Sequence, residues 1–400
     1  MRFFSRSLFA VLVALLAAPA AANASDLVTE YTAGLRPGSA PTGIVAGLDG
    51  AMWFTENTVP GGIGRISPSG EVSRFTNGLS PDAQPYRIAV GPDGNLWFTE
   101  NGNHGRVARL TSDGLIKEWG LDGSVPAGIT AGPDGNLWVA DPAKGGRIIR
   151  VTPDGNRRNF TQGLTTGGAP TSITAGPDGN LWFTESVNPG RIGRITPAGV
   201  ITEFPTTGAG GPPQEITAGP DGSLWFTVGG STKVGRITTA GTVTFSEPLK
   251  ADAEPQGIAT GPDGAVYIAL RGRSVVARVT TAGGVAELGG LTSGAGATGI
   301  AAGADGALWV TESADPGRIA RMTVPPEVLA FDSPGLPGSD AAWPVAAGPA
   351  RAALGSKVVL RPVSGTVRVQ LPGSSQSIVL DGTHAVPLGA VIDTKAGKLT

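Results

Sequence analysis

The chain has 400 residues, with 63 glycines, 33 prolines, two histidines, no cysteine and a formal net charge of -2. That composition excludes disulfides, thiol chemistry and a histidine-rich metal cage. With charges of both signs scattered and no basic stripe, it also argues against a nucleic-acid partner.

Residues 1–24 read as a signal peptide. Arg2 and Arg6 precede an apolar run over 8–17 that is too short to span a bilayer, and residues 22–24 form a small-x-small cleavage site. The mature chain is therefore expected to be secreted or periplasmic, with no membrane span. Without disulfides, packing alone has to hold it together outside the cytoplasm.

From residue 25 to 331 the chain repeats. The stretch G-P-D-G-N-L-W-F-T-E recurs with small changes seven times, its aromatic at Trp53, Trp97, Trp138, Trp182, Trp225, Tyr267 and Trp309, spaced by 41 to 44 residues. A period near forty marks a repeat architecture. The fourth copy shows why each unit is four strands. A short apolar strand over 172–175 meets the turn Pro177-Asp178-Gly179, and residues 180–185 alternate with period two. Strands over 192–196 and 200–204 flank a second turn at Pro197-Ala198-Gly199. Seven such units predict an all-β fold, a seven-bladed β-propeller of four-stranded blades. Two segments compete to complete blade seven, residues 27–31 (LVTEY) and 327–331 (EVLAF). The N-terminal segment is preferred, because Pro325 and Pro326 replace the usual turn before the other. Residues 332–355 read as a Pro/Gly/Ala-rich linker. Residues 356–400 read as a small β module, with strands over 357–363, 366–371, 377–380 and 385–392. This module weakly resembles the FecR type and is read as truncated.

Residues shared by all blades belong to the scaffold, so sites are sought where the copies differ. The aspartates at 49, 93, 134, 178, 221, 263 and 305 and the arginines at 65, 109, 150, 194, 236, 278 and 321 occur seven-fold. They are assigned to turns and interblade packing, and the aromatics to the interblade core. The end of the second strand varies. Glu56, Glu100, Asp141, Glu185 and Glu312 are acidic, whereas Val228 and Leu270 are not. An unbroken acidic arc through blades seven, one, two, three and four is expected at the channel mouth, where it would suit a cation or cationic ligand. A solvated strand end is the plainer reading. The position before the first strand varies too: Thr42, Tyr86, Ala127, Thr171, Gln214, Gln256 and Thr298. Tyr86, Gln214 and Gln256, with Glu254 two residues upstream of the last, form a ligand-facing set.

Repeats of the form P-x-G-I-T-A-G-P-D-G-N-L-W-F-T-E followed by G-R-I-G-R-I-T resemble the streptogramin B lyases (virginiamycin B lyases) across every blade. The resemblance implies a seven-bladed propeller and a metal-dependent elimination that opens the ester of a cyclic depsipeptide antibiotic. A histidine acts as base, and Mg²⁺ is held at the channel mouth by acidic and histidine side chains. The motifs that would carry this chemistry read P-H-x-I-T and E-P-H in that family. Here they read Pro213-Gln214-Glu215-Ile216-Thr217 and Glu254-Pro255-Gln256. Glutamine cannot act as a general base near pH 7. His104 falls in a blade-two loop and His384 in the tail.

Two functions are carried forward. The first is an exported, monomeric binding scaffold for a small-molecule or extracellular ligand at the channel mouth. The second is a carbon–oxygen lyase with Glu254 as its catalytic base, or a lactonase-like hydrolase, using Mg²⁺ or Ca²⁺.

Overall fold

The computed structural model describes residues 27–324 and five strand segments between 357 and 399. The chain divides into two units, residues 1–333 and 334–400. The predicted leader, the linker and the competing segment 327–331 lie outside the described residues.

The first unit holds seven four-stranded antiparallel sheets, each a blade built from one repeat. In blade four the strands run Pro170–Ala175, Leu181–Glu185, Arg191–Ile195 and Ile201–Pro205, and each pairs with the next. Blade seven takes its inner three strands from Ala297–Ala302, Leu308–Glu312 and Arg318–Met322. Its outer strand is the N-terminal Val28–Tyr31, antiparallel to Arg318–Met322. The ring is thus latched by the two ends of the repeat region, which leaves no blade with three strands.

Each aromatic of the repeat packs forward onto the next blade. Trp97 clusters with Leu137 and Val139, Trp138 with Leu181 and Phe183, and Trp182 with Leu224 and Phe226. Trp309 closes the ring against Met52 and Phe54 of blade one. The repeated aspartate fixes the ring. Asp178 accepts the Trp182 indole N–H at 3.0 Å, and Asp263 accepts the Tyr267 hydroxyl at 2.9 Å. Desolvation would raise the pKa of these aspartates, yet hydrogen bonds such as those from Asn180 and Trp182 hold Asp178 below the usual carboxylate range. The repeated arginine lies beside both aromatics of its blade: the Arg194 guanidinium is 5.7 Å from the Trp182 and Phe204 ring centres.

The threonine of W-F-T-E stitches neighbouring blades. Thr184 Oγ1 donates to Gln214 O of blade five at 2.7 Å and accepts the Ser172 N–H of its own inner strand at 3.0 Å. Thr311 does the same from blade seven to Thr42 of blade one. Blade three has Ala140 instead, and there the Gly128 N–H reaches Thr171 O of the next blade directly, at 2.7 Å. Six inner strands carry a register shift near their start, for instance between Pro213 and Ile216. Such a bulge re-aims side chains, and here it does so at the channel entry.

In the second unit, Lys357–Leu360 pairs with His384–Pro387, and Pro362–Gln370 pairs with both Ser377–Leu380 and Val391–Leu399. Two predicted boundaries move. The strand expected over 357–363 ends at Leu360, and residues 362 and 363 begin the next strand, Pro362–Gln370, which has register shifts on either side of Gly365. The segment predicted over 385–392 is two strands, the first ending at Pro387, which lacks the N–H to continue a ladder.

Candidate functional site at the channel mouth

The inner strands converge on a central channel. Their isoleucines at 44, 88, 129, 173, 216, 258 and 300 form a ring, and the residues one position earlier form a second ring. That second ring reads Gly43, Arg87, Gly128, Ser172, Glu215, Gly257 and Gly299. Together the two rings line a cavity of about 150 Å³. Four glycines contribute no side chain, and the other three members join. Arg87 of blade two donates through Nε to Glu215 Oε1 of blade five at 3.1 Å, and through Nη2 to the same oxygen. Ser172 of blade four donates to Glu215 Oε2 at 2.9 Å and accepts the Ile216 N–H at 3.3 Å. The Arg87 guanidinium also lies 4.5 Å from the centre of the Tyr86 ring. The Arg87 and Glu215 side chains are 18% and 22% exposed. Burial would disfavour the guanidinium charge, but Glu215 and Tyr86 reverse that and raise the pKa of Arg87. The result is a charge-balanced crossbar over the isoleucine ring.

The sequence-predicted set surrounds this crossbar by position in the chain. Tyr86 and Gln214 immediately precede Arg87 and Glu215, and Gln256 holds the equivalent place in blade six. All three are partly exposed. Gln214 Nε2 donates to Ser186 Oγ at 3.1 Å. Glu254 is exposed and has a φ of +46°, a left-handed conformation that is strained for a side chain with a Cβ. His104 is also exposed, and its Nδ1 is 2.7 Å from Asp82 Oδ2.

The expected acidic arc needs correction. Glu56, Glu100, Asp141, Glu185 and Glu312 are each 0 or 1% exposed, sealed from solvent, so they form no open acidic rim. Nor are they solvated strand ends. Each ends its strand beside an arginine of the same blade. Glu56 accepts from Arg74 at 2.5 Å, Asp141 from Arg147 at 2.7 Å and Glu100 from Arg106 at 3.1 Å. Arg191 is 3.9 Å from Glu185. The overlying loops and outer strand exclude water from a position that periodicity alone leaves ambiguous. Among the described residues no group of three or more His, Cys, Asp or Glu is placed to hold a metal ion.

Three of these acids are poorly compensated. Both carboxylate oxygens of Glu185 and of Glu312, and Oε1 of Glu100, have no hydrogen-bond partner among the described residues. Desolvation, joined by Glu118, pushes Glu100 up to about 8. Desolvation and Glu203 push Glu185 up to about 7, and desolvation and Glu30 push Glu312 up to about 8. The folded state therefore holds protons that the unfolded chain releases near the ordinary value of 4.5. The stabilisation these three acids contribute should be complete below that value and be lost as pH rises through 7 to 8. A melting series from pH 5 to pH 9 should show Tm falling, and Glu312→Gln should flatten the fall. An unchanged slope in that variant would refute the assignment.

Fold and mouth define a seven-bladed propeller with a polar, charge-balanced central site. The sequence profile of the Virginiamycin B lyase family matches residues 20–272 and 121–352. The chain is also similar to solved structures of that family. Virginiamycin B lyase from Staphylococcus aureus is 32% identical, with 74% of this chain and 99% of that one covered and a TM-score of 0.68. A streptogramin B lyase structure is 31% identical, with 76% and 100% covered and a TM-score of 0.69. A catalytically inactive histidine-to-alanine variant of the Staphylococcus aureus enzyme with quinupristin is 33% identical, with 74% and 99% covered and a TM-score of 0.68. No curated protein matches the chain. The chain belongs to the virginiamycin B lyase family.

Arg87, Ser172 and Glu215 were not singled out by the sequence reasoning. A signal for them exists: in their column the other four blades all have glycine.

Proposed function

We propose that this chain is a ligand-binding member of the virginiamycin B lyase family, acting outside the cytoplasm and taking a small-molecule or extracellular ligand at the channel mouth. The observation that carries this reading is Gln214 and Gln256, which stand where the resemblance implies histidines. Neither amide can accept a proton in the working range of a base. Tyr86, Gln214 and Gln256 offer one aromatic face and two donor–acceptor amides beside the Arg87–Glu215 crossbar, a polar set suited to binding and orientation.

The test uses quinupristin, named with the related enzyme, together with Mg²⁺. Mass spectrometry should find the depsipeptide ring intact after prolonged incubation, and calorimetry with Mg²⁺ or Ca²⁺ alone should give no saturable heat. Metal-dependent ring opening would overturn the reading. The strained, exposed Glu254 favours one alternative, a lyase using that carboxylate as base. Ring opening abolished by Glu254→Gln would establish it.

A further inference from the structure

The seam between blades one and two departs from the repeat in several independent ways. Five of the six repeat tryptophans are 0 or 1% exposed, but Trp53 is partly exposed. The other stacked aromatic pairs have interplanar angles of 14° to 22°, whereas Trp53 and Phe75 splay to 38°. A substitution accompanies the tilt. Val90 stands where five blades have alanine, at 46, 131, 175, 218 and 302. This column packs against the tryptophan of the preceding blade, as Ala175 does with Trp138 and Ala218 with Trp182. Thr260 of blade six is as large and leaves Trp225 1% exposed, so the size of Val90 does not by itself set the tilt. Leu48 replaces the turn proline found in five other blades, is 79% exposed, and forms a lip toward the Gly94 turn of blade two.

At this seam lies a slot of about 290 Å³, walled by Trp53, Phe75, Val90, Leu96 and Leu110 and edged by Arg65. Arg65 has donors to spare. Its Nε pairs with Asp49 at 2.7 Å, but its Nη atoms make no hydrogen bond among the described residues. The equivalent arginines of blades two, three and four donate Nη1 to a turn carbonyl of the next blade. We infer that this slot is a second binding site, which takes a planar aromatic group bearing a hydrogen-bond acceptor. The ring lies in the slot against Trp53 and Phe75, and the acceptor meets the Arg65 guanidinium.

Anilinonaphthalene sulfonate, a planar aromatic carrying an acceptor, serves as probe on the full chain. One saturable site per chain is expected, with energy transfer from tryptophan that weakens in Trp53→Phe. Leu48→Asp at the exposed lip, Arg65→Met at the edge and Val90→Ala, which restores the repeat, should each lower affinity about tenfold or more while Tm is retained. Absence of saturable binding would overturn the site. So would an affinity unchanged within about twofold in all three variants, or probe fluorescence that appears only as the protein unfolds.

Discussion

Truncating Trp182 to alanine is expected to destabilise the propeller by about 3–5 kcal/mol, the range for removing a large aromatic from a close-packed core. Trp182 is 0% exposed and stacks on Phe204 at 5.5 Å. It also fills the wedge between blades four and five, against Leu224 and Phe226. Its loss deprives Asp178 of the indole donor at 3.0 Å and leaves a cavity that rigid sheets on both sides cannot collapse to fill. The same truncation at Trp53 should cost less than half as much, because that ring is already partly exposed and borders a cavity. Denaturant midpoints of the two variants check both values. Equal losses would show that the two seams are energetically alike and would count against the slot.

Breaking the crossbar is expected to cost about 2 kcal/mol in either single variant, Arg87→Met or Glu215→Met. Each change leaves one charge about four-fifths buried without its partner. The remaining exposure places this below the cost of stranding a fully buried charge. The double variant should recover most of the loss, since two apolar side chains of similar volume fill the same space without desolvated charge. The diagnostic is therefore non-additivity: the double variant should lie closer to the parent than either single variant does. Additive losses would mean that Arg87 and Glu215 act independently and that the channel has no crossbar.

The scaffold was legible at the level of single residues. The Pro-Asp-Gly turns, period-two strands and forty-residue spacing led to seven four-stranded blades. The isolated LVTEY segment led to the strand that closes blade seven. These features are local: turn chemistry and alternation act over a few residues, and closure follows from one unpaired strand at each end of the repeat. The site was only half legible. Asking where the copies disagree picked out Gln214, Gln256 and Tyr86. The same question put to the next column would have found Arg87, Ser172 and Glu215. For the acids the question misled, because a strand end looks solvent-facing until the loops that cover it are in place.

The sequence by itself determined the number of blades, the turns that separate their strands, and the replacement of two histidines by Gln214 and Gln256, which no fold can reverse. The tertiary structure alone decided that Arg87 meets Glu215, 128 residues away, that five carboxylates are sealed inside blades, and that Trp53 borders a slot. The physical reason is ring closure. Blades two and five come face to face across the channel only when all seven wedges are packed. Burial, ion pairing and seam width depend on that packing, whereas strand period and turn type do not.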